Sequence, residues 1–233
     1  MIASLNGTTS GGWIEYGKQL QQAGADALEL NVYYIAGDET ESSADVEQRY
    51  VELLESLQQH VSIPITMKLS SQFSSPLHVI QRLEQAGAAG VALFNRFYLP
   101  DIDLETLKIN PVLNLSSPVE SLLRIRWAAL LHGRVNLSVA VTGGFHNAQD
   151  SLKALLAGAD VVHLCSTLLQ HGPERLSVIL DDMLEWLKVH EYESVRQMKG
   201  SLSYKHAIDP GAYERVNYVT VLDSYSSPRG VLR

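Results

Sequence analysis

The chain is short of several things, and each shortage removes a class of protein. It has one cysteine, Cys165, in 233 residues. No internal disulfide framework is therefore available, and a reducing cytoplasm is the expected location. A single thiol also leaves no cysteine set for an iron–sulfur cluster. Charged residues make up 19% against 45% hydrophobic, a balance foreign to disordered chains and long coiled coils. Positive charge is the scarcer sign: 18 Lys and Arg against 26 Asp and Glu give −8, which argues against nucleic acid or an anionic membrane as partner. No run comes near the roughly 18 apolar residues of a membrane span, and the first residues, Met1-Ile2-Ala3-Ser4-Leu5-Asn6-Gly7, do not read as a signal peptide. His132, His146, His171 and His190 lack metal-ligand spacing, so no metal is expected. Neither a Ser-His-Asp order nor a GxxxxGK[ST] stretch occurs.

What is present is a repeat. Ala23-Gly24-Ala25-Asp26-Ala27-Leu28-Glu29-Leu30 returns as Ala86-Gly87-Ala88-Ala89-Gly90-Val91-Ala92-Leu93 and as Ala157-Gly158-Ala159-Asp160-Val161-Val162-His163-Leu164. Each copy ends a helical pattern on glycine and turns into a short apolar run, the signature of a helix stop followed by a buried strand. Six strands are predicted, near 2–6, 27–32, 64–69, 90–95, 137–142 and 161–166. Helices fill the intervals, near 11–23, 43–59, 75–86, 118–131, 147–157 and 173–189. This alternation predicts an α/β fold with a parallel sheet buried on both faces. An open doubly wound sheet and a (β/α) barrel are both compatible. Polar residues at every strand's C-terminal end favour the barrel, whose active sites lie at that face. Residues 1–222 read as one barrel domain, and 200–233 as a Tyr-rich, poorly periodic stretch ending in a tail over 223–233.

The strand ends deliver a specific set of side chains: Asn6; Asn31, Tyr33 and Tyr34; Lys68 and Ser70; Asn95, Arg96 and Tyr98; Thr142, Gly143 and Gly144; Cys165, Ser166 and Thr167. Three asparagines and a lysine are costly to bury without partners, so their convergence fits a planar, hydrogen-bonding ligand. Lys68 reads as a fixed cation beside an anionic or carbonyl-rich group, with a snorkelling strand-end lysine as the plain alternative. Gly143-Gly144, just before a helix capped by Asn147, together with the Ser166-Thr167 helix start, suits a phosphate. His163 reads as a satisfied core histidine and Cys165 as a small buried residue. Asp101, Asp103 and Glu105 read as a solvated loop. Ile125, Ala128, Ala129 and Leu130 read as helix core with Trp127 at its edge.

The ordered set Ile2-Ala3-Ser4-Leu5-Asn6-Gly7, Leu28-Glu29-Leu30-Asn31, Met67-Lys68-Leu69-Ser70, Leu93-Phe94-Asn95-Arg96-Phe97-Tyr98, Thr142-Gly143-Gly144 and Leu155-Leu156-Ala157-Gly158-Ala159-Asp160 resembles dihydroorotate dehydrogenases, in particular the branch called dihydroorotate dehydrogenase-like. The resemblance runs from residue 1 to about 222. It implies a (β/α)8 barrel that binds FMN and acts on the CH–CH bond of a dihydropyrimidine, as in pyrimidine biosynthesis. By position, Lys68 resembles the lysine at the flavin's pyrimidine edge, and Asn31 and Asn95 resemble the asparagines that hold the substrate ring. Gly143, Gly144, Ser166 and Thr167 match the flavin phosphate site. One departure stands out. The family's Asn-x-Ser-(Cys or Ser)-Pro-Asn loop reads Asn31-Val32-Tyr33-Tyr34-Ile35-Ala36 here, which puts Tyr34 at the general-base position. A phenol with an ordinary pKa of ~10 needs activation for that task.

A complete barrel of this kind needs roughly 250 residues and eight strands. The six strands here are therefore expected to lack the first two strand–helix units, leaving open edges, a tendency to aggregate and an incomplete flavin pocket. A homodimer is compatible with the composition. Two other functions remain open from the residues: a barrel lyase or isomerase acting on a phosphorylated metabolite through a Lys68 Schiff base, and a non-catalytic flavin-binding homologue or fragment.

Overall fold

A computed structural model describes residues 1–7, 9–215, 221, 222 and 224. Thr8 and nearly all of the expected tail, 223–233, lie outside the described residues. Strands β1 (Ile2–Leu5), β2 (Ala27–Asn31), β3 (Ile65–Leu69), β4 (Gly90–Leu93), β7 (Ser138–Thr142) and β8 (Val161–His163) form one parallel sheet in that order. Strands β5 (Asp101–Asp103) and β6 (Lys108–Asn110) form a separate antiparallel hairpin. The covering helices are α1 (Ser10–Gln22), α2 (Ser43–Gln58), α3 (Pro76–Gln85), α4 (Ser121–Leu131), α5 (Ala148–Ala157) and α7 (Arg175–Val189). Three shorter helices are α6 (Ser166–His171), α8 (Val195–Met198) and α9 (Gly211–Glu214).

The six expected strands and their helices are therefore present, most within one or two residues of their predicted bounds; β8 stops three residues short of 166, and the helix expected from 118 opens as a 3-10 turn over Pro118–Glu120 before α4 begins at Ser121. Local chemistry explains where they begin and stop. Ser42 and Asp45 form a reciprocal capping box at α2, and the Asn147 side chain accepts from Asp150 N at α5, as expected of an N-cap. The repeated Ala-Gly-Ala turns place Gly24, Gly87 and Gly158 at φ of +93°, +93° and +121°. A side chain there would be strained, which is why glycine ends each of these helices.

The sheet curls into part of a (β/α)8 barrel, with β1 and β8 as its unpaired edges. Its outer face is dry: Leu28, Leu30, Met67 and Leu69 pack with Leu54 and Leu57 of α2 and Leu83 of α3, all fully buried. Each such side chain contributes roughly 1.5–3 kcal/mol by leaving water. The inner face differs from the sequence expectation of strands buried on both sides. Thr66 and Lys68 of β3 are only half-buried between buried Ile65, Met67 and Leu69, because a curled but open sheet leaves its concave face in reach of solvent.

The acidic run 101–105 is solvent-exposed as expected, but it belongs to the β5–β6 hairpin rather than an irregular loop. Asp103 accepts from Glu105 N and Thr106 N at 2.9 and 3.0 Å and so builds the turn. The segment after α8 is pinned to the barrel through Gly200 N–Leu155 O, Leu202 N–Leu156 O and Tyr204 N–Ala129 O bonds of 2.9–3.1 Å.

Candidate functional site

The six strands aim their C-terminal ends at one cavity of about 380 Å³. Parallel register puts Asn31 beside Lys68 and Thr142 beside His163. Asn31, Asn95, Lys68, Gly143, Gly144 and Ser166 all line this cavity. Asn95 is nearly buried, and its Nδ2 donates to Asn31 Oδ1 at 2.6 Å and to Val32 O at 3.4 Å. The two carboxamides thus form one rigid unit across β2 and β4.

Beneath them lies a charged cluster that spans the inner face. The buried Glu29 carboxylate sits 3.8 Å from Lys68 Nζ, 4.0 Å from His163 Nδ1 and 3.2 Å from Ser4 Oγ. Strands β2 and β8 are not neighbours in the sheet, so the Glu29–His163 approach measures its curl. Burial pushes the His163 imidazole below its usual pKa; Glu29 opposes that shift and Lys68 adds to it. His163 is therefore not a satisfied core histidine. It stands on a short edge strand facing the cavity, half-buried. Cys165 is likewise exposed rather than buried, because β8 has ended by then and the chain is turning into α6. Glu29 and Ser116 carry more of the site than the sequence pattern suggests. A carboxylate inside an apolar strand was the available signal for Glu29, and the Ser117–Glu120 capping box marks where the segment of Ser116 ends.

Ser116 arrives from the loop before α4. Its Oγ accepts from Gly144 N at 3.1 Å and donates to Ser166 Oγ at 2.8 Å, while its own N–H reaches Ser166 Oγ at 3.1 Å. Arg96 clamps this loop through Asn114 O and Leu115 O. Thr167 lies outside the cavity lining, fully buried, with Oγ1 donating to His146 O at 3.3 Å.

The two tyrosines after β2 take different routes. Tyr33 lines the cavity, packed edge-on against Phe97 at 4.6 Å, with its hydroxyl accepting from Tyr98 N. Tyr34 faces a neighbouring cavity with Trp13. Its hydroxyl donates to Glu41 Oε2 at 2.5 Å, and Arg49, which also pairs with Glu41, sits 4.2 Å over its ring.

These residues fit an FMN group. The carboxamide pair and Lys68 suit a flat ring rich in carbonyls and N–H groups. Gly143 and Gly144 adopt φ of +92° and +91° and both line the cavity; the space a Cβ would take is filled by the Arg124 guanidinium at Gly143 and by the Ser117–Ser121 backbone at Gly144, so glycine is required there by packing. Among the described residues, no three His, Cys, Asp or Glu side chains converge as metal ligands.

No family model matches the chain. It is similar to several curated proteins. The catalytic subunit of dihydroorotate dehydrogenase B (NAD(+)) of Bacillus pumilus is 28% identical over 212 residues, covering 88% of this chain and 67% of that protein. The protein of the same name in Bacillus cereus is 26% identical over 207 residues, covering 78% of this chain and 63% of that one. A protein of Aeropyrum pernix, provisionally named dihydroorotate dehydrogenase A (fumarate), is 27% identical over 206 residues, covering 86% of this chain and 66% of its own length. The chain thus spans about two thirds of the length of these relatives.

Proposed function

We infer that this chain, which belongs to the dihydroorotate dehydrogenase family, is an FMN-dependent oxidoreductase acting on the CH–CH bond of a dihydroorotate-like dihydropyrimidine. One observation carries the inference: residues from six separate strand ends, far apart in sequence, line one cavity with two coupled carboxamides and a cation. When bound, FMN supplies the two-electron acceptor, so that the substrate gives up a hydride to it and a proton to a base, and its C–C bond becomes C=C.

The chain's own residues bind, orient and balance charge. Lys68 would hold the flavin by its carbonyl-rich ring, its ammonium offsetting the negative charge that reduction brings. Glu29 holds that ammonium from below. Asn31 and Asn95 grip the substrate ring. Gly143, Gly144 and Ser166 form the phosphate end, with Ser116 giving up its bond to Gly144 N–H in exchange for a phosphate oxygen; Thr167, expected there from the sequence, is buried against His146 O and only anchors the start of α6. The proton would go to Tyr34 Oη as Tyr34 hands its own phenolic proton to Glu41 Oε2, its present hydrogen-bond acceptor; this requires the loop after Asn31 to bring the Tyr34–Glu41 pair to the cavity together. The single cysteine fits a cytoplasmic setting, and the composition is compatible with a homodimer.

The test is an FMN titration of the purified chain followed by anaerobic dihydroorotate. Saturable flavin binding is expected, weakened about tenfold by Lys68→Ala, with bleaching of the flavin by the substrate. A protein that never takes up FMN ends this inference. The Tyr34–Glu41 bond outside the cavity favours a second reading, a flavin-binding homologue without catalysis, which bound FMN that no dihydropyrimidine bleaches would support.

A further inference from the structure

Next to the main cavity, and sharing Asn95, Arg96 and Tyr98 with it, lies another of about 370 Å³. Its walls are of two kinds. Phe97, Tyr98, Leu99 and Val112 are apolar or aromatic, while Arg96 and Arg124 supply two guanidinium groups from the other side.

The charges do not balance. Arg124 is 7% exposed, and its recorded hydrogen bonds go to neutral backbone carbonyls: Nε to Thr142 O and Nη1 to Glu120 O, both at 3.0 Å. Among the described residues the carboxylate at hand is Glu120, which accepts from Arg96 Nε at 3.0 Å through one oxygen and from Ser117 N at 2.9 Å through the other. Two guanidinium groups therefore share one carboxylate, with one of the cations nearly buried. Burial pushes Arg124 below its usual pKa; Glu120 opposes this and the nearby Arg96 adds to it. Buried charge is costly unless an opposite charge meets it.

We propose that this second cavity is an anion site that takes the carboxylate of a small planar organic acid. The surplus is a single positive charge, which matches a monocarboxylate better than a dianion. Arg124 Nη2 and, on the Arg96 fork, the second N–H of each Nη atom, whose other N–H groups go to Asn114 O and Leu115 O, are left to donate to that carboxylate. The apolar wall then covers the planar body, with Phe97 backed edge-on by Tyr33. Neither Arg96 nor Arg124 is among the residues assigned to hold the flavin, so the test needs no FMN.

Benzoate serves as the probe in calorimetric titrations of the full chain, with benzamide as its neutral counterpart and inorganic phosphate as a bare oxyanion. Benzoate is expected to saturate in the millimolar range while the other two do not. Arg96→Gln should weaken benzoate about tenfold, Arg96→Lys should weaken it less by keeping the charge without the fork, and Lys68→Gln in the main cavity should leave it within about twofold. Absence of saturable benzoate binding overturns the proposal. So does equal binding of benzamide, which removes the role of charge, or of phosphate, which removes the planar-acid class. Loss of benzoate in Lys68→Gln but not in Arg96→Gln would place the ligand in the main cavity and overturn it as well.

Discussion

The two faces of the six-stranded sheet are made from the same strands, one residue out of step, yet they are different materials. On the outer face Leu28, Leu30, Met67 and Leu69 have no exposure and meet helices that are equally dry. On the inner face Glu29, Asn31 and Lys68 come from the same two strands, with Glu29 paired to Lys68 by charge and Asn31 hydrogen-bonded to Asn95. Side chains alternate along a strand, so cohesion and chemistry are separated by a single peptide step. Each face can therefore be damaged without the other.

The largest effect is expected outside. Leu54→Ala removes a fully buried side chain from the α2–sheet contact and should lower unfolding free energy by about 3 kcal/mol in urea titrations. Flavin affinity of the remaining folded protein should be unchanged; a coupled loss would erase the distinction between the faces. Inside, Lys68→Met leaves the Glu29 carboxylate buried without its cation and should cost about 1–2 kcal/mol. Adding Glu29→Gln should restore most of that stability but none of the flavin affinity.

Acid provides a third comparison. His132 lies against Gly158 and Gly200 on the outside, and His163 faces the cavity. Burial pushes both below the usual value of 6.5, with His206 and Lys199 adding to the shift at His132. Their unfolded forms bind protons first, so stability is complete above about pH 6.5 and falls as pH drops below it. His132→Asn and His163→Asn should each flatten part of that slope in urea midpoints measured against pH. The smallest effect belongs to the hairpin: Ile102 is exposed, and Ile102→Ser should change stability by less than about 0.5 kcal/mol.

The same alternation decides what could be read from the amino-acid sequence. The strands were legible because three copies of Ala-Gly-Ala mark where helices stop. The site was legible where polar residues close an apolar run, as at Asn31, Lys68, Asn95 and Thr142. Loops are another matter. Ser116 reaches Ser166 across fifty residues of chain, and nothing local to Ser116 announces that bond. In the same way no periodicity says which of Tyr33 and Tyr34 turns inward once β2 has ended. The hairpin strands are three residues each, too short to display a period. His163 departs from its sequence reading because a buried strand and an open edge strand share one apolar pattern, and only the curl of the sheet distinguishes them.

The bond between Asn95 and Asn31 has a consequence for what the cavity can distinguish. Asn95 spends its amino group on Asn31 Oδ1 and Val32 O, so it offers an incoming molecule its carbonyl oxygen. Asn31, with its oxygen engaged, offers its amino group. Neither amide can flip without breaking the other's bond. Donor and acceptor therefore stand side by side in a fixed order, like the edge of a nucleobase, and a cyclic amide can be read in one orientation but not in its mirror placement.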